Sequence, residues 1–291
     1  MHFINALRAS ASKISTLTPQ SVLNFGVRYA SGGKKLVSVD QRPPSPCLTY
    51  PRDRKPCFDI NAVTVERGTQ CHAKMIRSFM YTHYWPREPC VVGLWMSLNS
   101  PYLDLLTDLY SHTGDRLLAF ERLKRSNEKK LVGVCVANKV FPWWIDELEE
   151  WAHYTESKPE RLRMYFLAHC LKSPNFFKKF KVDFIYEVSV LGTAHEAAGQ
   201  GVGVLLLKTA LASAEDARYP LVQVVSASQY TSRICEKCGM KRAWTMDYSE
   251  FVDHAGQRVF FPRRPHHSVG VYIKYFDPKK GLEEPNIQQL I

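Results

Sequence analysis

Nowhere in the 291-residue chain is there an apolar run of the roughly eighteen or more residues that a membrane span needs. Glycine (15) and proline (17) are too few for collagen or a low-complexity tract. The eight cysteines are scattered rather than crowded, which excludes a small domain held by disulfides. The chain has neither the Gly-Lys-Ser/Thr of a P-loop nor a Gly-x-Gly-x-x-Gly. It has one Cys-x-x-Cys pair and no second, and no helix-turn-helix, RNA-recognition motif or zinc finger accompanies its basic residues. What remains is an ordinary soluble globular composition, 45% apolar and 23% charged, long enough to bury a full core.

Acidic residues are also missing locally. From Met1 to Val39 there is no Asp or Glu, while Arg8, Lys13, Arg28, Lys34 and Lys35 contribute to a formal net charge of +11. Phe3, Ile4, Leu7, Ile14 and Leu17 can share one side of a helix whose other side carries Arg8 and Lys13, the amphipathic form of a mitochondrial transit peptide. Residues 1–29 are therefore expected to be a transit peptide, with cleavage near Arg28-Tyr29-Ala30-Ser31 and a matrix location in which the cysteines stay reduced. A merely basic tail is the plainer alternative. Residues 30–58 hold Pro43, Pro44, Pro46, Pro51 and Pro56, too many fixed φ angles for a helix or central strand, and read as a linker. The folded domain is expected over 59–277, with a tail over 278–291.

Within that domain Ala62-Val63-Thr64-Val65 reads as a strand and 69–80 as a helix ending before Trp85-Pro86. An interrupted helix is expected over 94–111, a hairpin over 116–123 and 131–140, and two long helices near 143–156 and 159–171. The β-branched, aromatic run 183–190 then leads through a loop into Ala198-Gly199-Gln200-Gly201-Val202-Gly203 and the apolar helix 204–217, followed by a strand at 221–227. Strand, glycine loop, helix is a phosphate-binding order: glycines let the main chain approach an anion, and the first N–H groups of the helix point at it. By itself such a loop is equally well a simple turn.

The order of these elements, and a later helix ending in Glu236-Lys237-Cys238-Gly239-Met240, resembles the GNAT superfamily of acetyl-CoA-dependent N-acetyltransferases. More narrowly the chain is similar to the insect-type arylalkylamine (dopamine) N-acetyltransferase branch. The carriers of that likeness are Arg87-Glu88-Pro89, Ser226-Ala227-Ser228-Gln229-Tyr230-Thr231-Ser232-Arg233, Val259-Phe260-Phe261-Pro262, and the run from Pro265-His266-His267 to Val271. The resemblance implies a single α/β domain with a mostly antiparallel central sheet, a parallel strand pair at the acetyl-CoA cleft, and helices on both faces. It implies acetyl-CoA as cosubstrate, a small primary amine as partner, no metal, no nucleic acid and a monomer.

Acetyl transfer to an amine requires an ammonium proton to be removed, a carbonyl oxygen to be held, and a thiolate to be stabilised as it leaves. By resemblance Glu88 is the proton acceptor, although its local sequence alone suits a solvated loop acid beside Arg87. Main-chain N–H groups of the Glu187–Val190 strand would hold the carbonyl oxygen, with Val188, Ser189 and Val190 along the pantetheine arm. The pyrophosphate would rest on Ala198, Gly199, Gln200, Gly201, Val202 and Gly203. Thr231 is assigned the hydrogen bond to the thiolate, supported by Ser228, with Tyr230 and Ser226 on the substrate; Thr231 is also a natural helix N-cap.

Three positions depart from the pattern: Ala198 replaces the usual Gln or Arg at the head of the phosphate loop, Ala227 a catalytic Ser, and Cys235 a Tyr. A noncatalytic acetyl-CoA-binding protein is therefore one alternative, and an acetyltransferase of lysine or polyamines another. Zinc at Cys235 and Cys238 is disfavoured, because the pair falls within a helix and the spacing of His254, His266 and His267 is not that of a finger.

Overall fold

The computed structural model describes residues 58–122 and 128–276. The expected transit peptide (1–29), the proline-rich linker up to residue 57 and the tail over 278–291 lie outside the described residues. The domain is built on a seven-stranded sheet in the order β1-β2-β3-β4-β5-β7-β6. The strands are β1 (Val63–Arg67), β2 (Asp115–Arg122), β3 (Lys129–Val140), β4 (Ile185–Thr193), β5 (Leu221–Ser226), β6 (Lys241–Asp247) and β7 (Ser268–Tyr275). Every pairing is antiparallel except β4 with β5, and helices cover both faces, as expected from the sequence.

Two glycines show which helix covers which face. A Cβ on Gly133 of β3 would lie 2.8 Å from both Val202 and Leu206, which belong to helix α7 (Val202–Asp216), so that helix packs directly on one side of the sheet. A Cβ on Gly192 of β4 would lie 3.2–3.3 Å from Tyr84 and Phe79 on the other side. That second side carries α1 (Ala73–Phe79) and the turn after it; the chain also forms α2 (Pro89–Gly93), α3 (Pro101–His112), α4 (Trp143–Tyr154) and α5 (Lys158–Lys172). The short α6 (Phe176–Phe180) and α8 (Gln229–Lys237) complete the set.

Several boundaries differ from the sequence expectation, each for a local reason. The first helix does not stop before Trp85: α1 loosens into a π-helical turn, Met80–Tyr84, and tightens into a 3₁₀ turn, Trp85–Arg87. The helix expected over 94–111 starts only at Pro101, where Ser100 caps it by accepting from Leu103 N–H at 3.3 Å, because Trp95 (φ 58°) has already turned the chain out of α2. β4 runs on to Thr193, so part of the segment taken for loop is strand, and α7 begins two residues early at Val202.

β4 does not run straight. Val190 lies opposite Val136 and Val188 opposite Ala137, which leaves Ser189 as an extra residue in a β-bulge. The parallel pairing with β5 is short: its register joins only Tyr186 to Val222 and Glu187 to Gln223. Beyond Glu187 the two strands part, and the bulge begins where they do.

One polar bond is embedded beneath the π turn. Trp85, fully buried, donates its indole N–H to Thr107 Oγ1 at 2.7 Å, and Thr107 donates in turn to the Leu103 carbonyl at 2.6 Å. Thr107→Val keeps the shape and leaves the indole donor unpaired, so it should cost about 1–3 kcal/mol. Thermal denaturation checks this, and an unchanged Tm would show that the bond contributes nothing.

Candidate active site

Glu88 is placed by helix geometry. It is the N-cap of α2, with extended backbone and Pro89 at the first helical position, and its Oε2 accepts from Val91 N–H at 2.7 Å. The solvated loop acid suggested by local sequence is not what forms: Glu88 is buried, 8% exposed. Arg87, its neighbour, points away and ties the π turn to the end of β4 by donating to the His83 carbonyl at 2.6 Å and to the Thr193 carbonyl.

A buried carboxylate needs a compensating charge, and α5 supplies it. Arg163 Nε lies 3.9 Å from Glu88 Oε2, both side chains being largely shielded. The guanidinium donates to Tyr102 Oη at 3.0 Å and stacks over the rings of Trp85 (5.6 Å) and Tyr102 (5.5 Å). Burial works against the charged form of Arg163, but Tyr102, Glu88 and Cys90 outweigh it, so the proton is held more tightly than usual. Around the pair stand Tyr84, Cys90, Tyr110 and Tyr248, all with ionisation pushed upward by burial and therefore neutral. Neither Cys90 nor Cys170, similarly raised by burial, is a thiolate nucleophile.

On the opposite side of the strand fork lies the glycine loop. Gly199 (φ 77°) and Gly201 (φ 92°) adopt left-handed backbone that a side chain would strain, and a Cβ on Gly199 would meet no atom within 4 Å. Gly201 caps α7, whose leading N–H groups face the loop. Gly203 permits a close approach between helices, since a Cβ there would sit 2.7 Å from Ile234 Cδ1 of α8. Ala198 is half-buried and Gln200 exposed. Val188 and Val190 are buried in β4, with Ser189 half-buried at the bulge between them.

The hydroxyl segment is partly corrected. Thr231 is not the N-cap of α8; Ser228 is, its Oγ accepting from Tyr230 N–H at 3.2 Å, which leaves Thr231 half-buried in the first turn. Ser226 is turned inward, donating to the Ser228 carbonyl at 2.9 Å and lying 3.0 Å from Ser232 Oγ. Tyr230 is 50% exposed and its ring meets His266 edge-on. His266 accepts from Gln229 N–H at Nδ1, 3.2 Å, and burial, with His267 beside it, lowers its basicity. Thus Ser228, Tyr230 and Thr231 gather at the start of α8, while Ser226 anchors that start from below.

Four participants were missed by sequence reasoning. Tyr248 donates to the Ala227 carbonyl at 2.7 Å and lies 3.8 Å from Cys90 Sγ, joining the α8 segment to the Glu88 cluster. Arg163 carried a readable signal, a charge directly before buried Met164 on a helix. Glu187 and Gln223 did too, as polar residues inside otherwise apolar strands; they are bonded to each other, Gln223 Nε2 to Glu187 Oε2, at 2.6 Å.

The chain matches no protein-family model and no curated protein. Solved structures are similar to it. A mosquito arylalkylamine N-acetyltransferase-like 5b aligns at 18% identity and TM-score 0.66 over 74% of this chain and 100% of that one. A serine-to-alanine mutant of agmatine N-acetyltransferase in its apo form aligns at 21% and 0.67 over the same shares. A Drosophila melanogaster polyamine N-acetyltransferase, an enzyme that forms N-acetylagmatine, aligns at 22% and 0.63, again over 74% and 100%. The architecture is thus the GNAT fold.

Removing one partner from a buried ion pair leaves the other uncompensated. Arg163→Met should destabilise by about 3–5 kcal/mol, and Glu88→Gln added to it should recover part of that loss. Denaturant unfolding of the two single variants and the double measures the coupling; simple additivity would show that the two charges do not interact.

Proposed function

We propose that this chain is an acetyl-CoA-dependent N-acetyltransferase of small primary amines, with arylalkylamines as the first choice of substrate. The observation that carries the reading is the fork itself: a bulged β4 diverges from β5 between a glycine-capped helix on one face and a buried carboxylate on the other. The fold is shared with solved structures of arylalkylamine, agmatine and polyamine N-acetyltransferases. The acid-free run over 1–39, with its amphipathic pattern from Phe3 to Leu17, supports a mitochondrial-matrix setting.

The cosubstrate suits the residues present. Gly199 leaves open space above the main chain, so the loop and the leading N–H groups of α7 can take phosphate oxygens without a side chain at position 198. Acetyl-CoA supplies an activated acetyl group as a thioester. On β4 the bulge at Ser189 turns main-chain N–H groups of Val188–Val190 toward the gap left by β5, where they can hold a carbonyl oxygen.

Glu88 takes the ammonium proton in this scheme. Its Oε2 is occupied by Val91 N–H and faces Arg163, so Oε1 is the acceptor. Thr231 serves the departing thiolate: Ser228 is committed to capping α8, whereas Thr231 Oγ1 makes no hydrogen bond among the described residues. Tyr84, Tyr102 and Tyr110 supply aromatic walls around the carboxylate. Transfer to agmatine or polyamines is a second reading, favoured by the presence of two buried carboxylates, Glu88 and Glu187.

Two measurements test this. Release of CoA from acetyl-CoA is followed with tyramine, dopamine, tryptamine, agmatine, spermidine and a lysine peptide; turnover is expected on an aryl amine, with Glu88→Gln lowering kcat by roughly 10²–10⁴-fold. Turnover that ignores the substitution would remove Glu88 from the mechanism, and a stabilising effect of acetyl-CoA without turnover would favour a noncatalytic binder. Gly201→Ala, which forces a side chain into left-handed backbone at a cost of about 1–2 kcal/mol, should diminish the rise in Tm given by acetyl-CoA. An undiminished rise would place the phosphates elsewhere.

A further inference from the structure

Glu187 is a buried carboxylate that the scheme above leaves unused. It is 6% exposed, and its polar contacts are neutral: Gln223 Nε2 at 2.6 Å on one oxygen and Ser189 Oγ at 3.4 Å on the other. Glu88, by contrast, has a guanidinium beside it. Burial raises the pKa of Glu187 and so disfavours its charged form, with the two hydrogen bonds opposing that rise. A negative charge enclosed without a cation is expensive for a fold to keep, and Gln would fill the same space at lower cost.

Its position is specific. Glu187 is the last β4 residue in register with β5, three residues before the carbonyl-holding stretch ends at Val190. It stands opposite Asn138 on β3, while Val190 and Gly192 stand opposite Val136 and Val134; residues paired across antiparallel strands share a face, so all three look toward the side where Tyr84 and Phe79 pack. That is the side holding Glu88 and Arg163. Tyr110 is acted on electrostatically by both carboxylates, and Cys170 by Glu187, so the two acids share neighbouring side chains.

We infer that Glu187 is the anchoring carboxylate for the substrate's ammonium group, binding the cation at the fork while Glu88 accepts its proton. This rests on the N-acetyltransferase reading for its chemistry but not for its test, which reads binding as well as turnover. The ammonium meets Glu187 Oε1, the oxygen with the weaker existing contact, and Gln223 fixes the carboxylate from the β5 side. The missing cation of the free protein is thus the one that the substrate brings.

The full chain, Glu187→Gln, Glu187→Asp and Glu88→Gln are titrated with tyramine and with spermidine by calorimetry, and assayed for CoA release. Glu187→Gln should weaken amine binding and raise KM roughly 10- to 100-fold, with kcat changed far less and Tm unchanged or higher. Glu88→Gln should do the reverse, lowering kcat with little change in affinity. If the protein binds amine but turns none over, and Glu187→Gln abolishes that binding, the transferase reading fails and the anchor stands. Amine affinity that Glu187→Gln leaves intact overturns the anchor, as does an unmodified chain that binds neither amine. A purely structural role would show as a fall in Tm without the KM effect; if Glu187→Gln does not fold, Glu187→Asp must still lose affinity for the inference to survive.

Discussion

The short parallel contact between β4 and β5 is the constraint on which the rest depends. Two strands that stayed paired would consume each other's main-chain groups, and nothing would remain to meet a ligand. Here the pairing ends at Glu187 and Gln223, and the bulge at Ser189 turns the strand immediately afterwards. The side-chain bond between Gln223 and Glu187 lies at that vertex, so it clamps the strands at the point from which they open. The antiparallel pairs on either side, β3 with β4 and β5 with β7, hold the two arms rigid and make the opening a fixed shape.

Charge is distributed around this opening with economy. The face toward α7 presents partial positive charge from main-chain N–H groups and carries no side-chain cation at position 198. The opposite face encloses two carboxylates and one guanidinium, wrapped in tyrosine and tryptophan rings that exclude water and strengthen each interaction. The π turn over Met80–Tyr84 brings these features together: it delivers Trp85 beneath Arg163, lets Arg87 reach the end of β4, and sets Glu88 at the start of α2.

Much of the fold was legible because its signals are local. The hairpin of β2 and β3, the strand-loop-helix unit and the α8 segment follow from β-branched runs, glycines and caps. The departures arose where the chain does something that periodicity does not encode. A π turn has no sequence period of its own, and the left-handed turn at Trp95 occurs at a residue type that rarely adopts it. The site divided in the same way. Glu88 and the glycine loop sit in short motifs, whereas Arg163, Tyr248, Glu187 and Gln223 enter from four separate elements and acquire meaning only when the fold brings them together. Ser228 rather than Thr231 became the cap because a helix start can slide by a few residues between hydroxyls that are equally able to cap it.

The glycine cradle also bears on how such a protein can change over time. The polar atoms it offers are main-chain N–H groups, present whatever residue occupies the position, so substitutions along the loop do not remove them. Only the left-handed turns at Gly199 and Gly201 and the tight helix crossing at Gly203 constrain identity there. A surface made of backbone lets the letters along a loop vary widely while the geometry stays put.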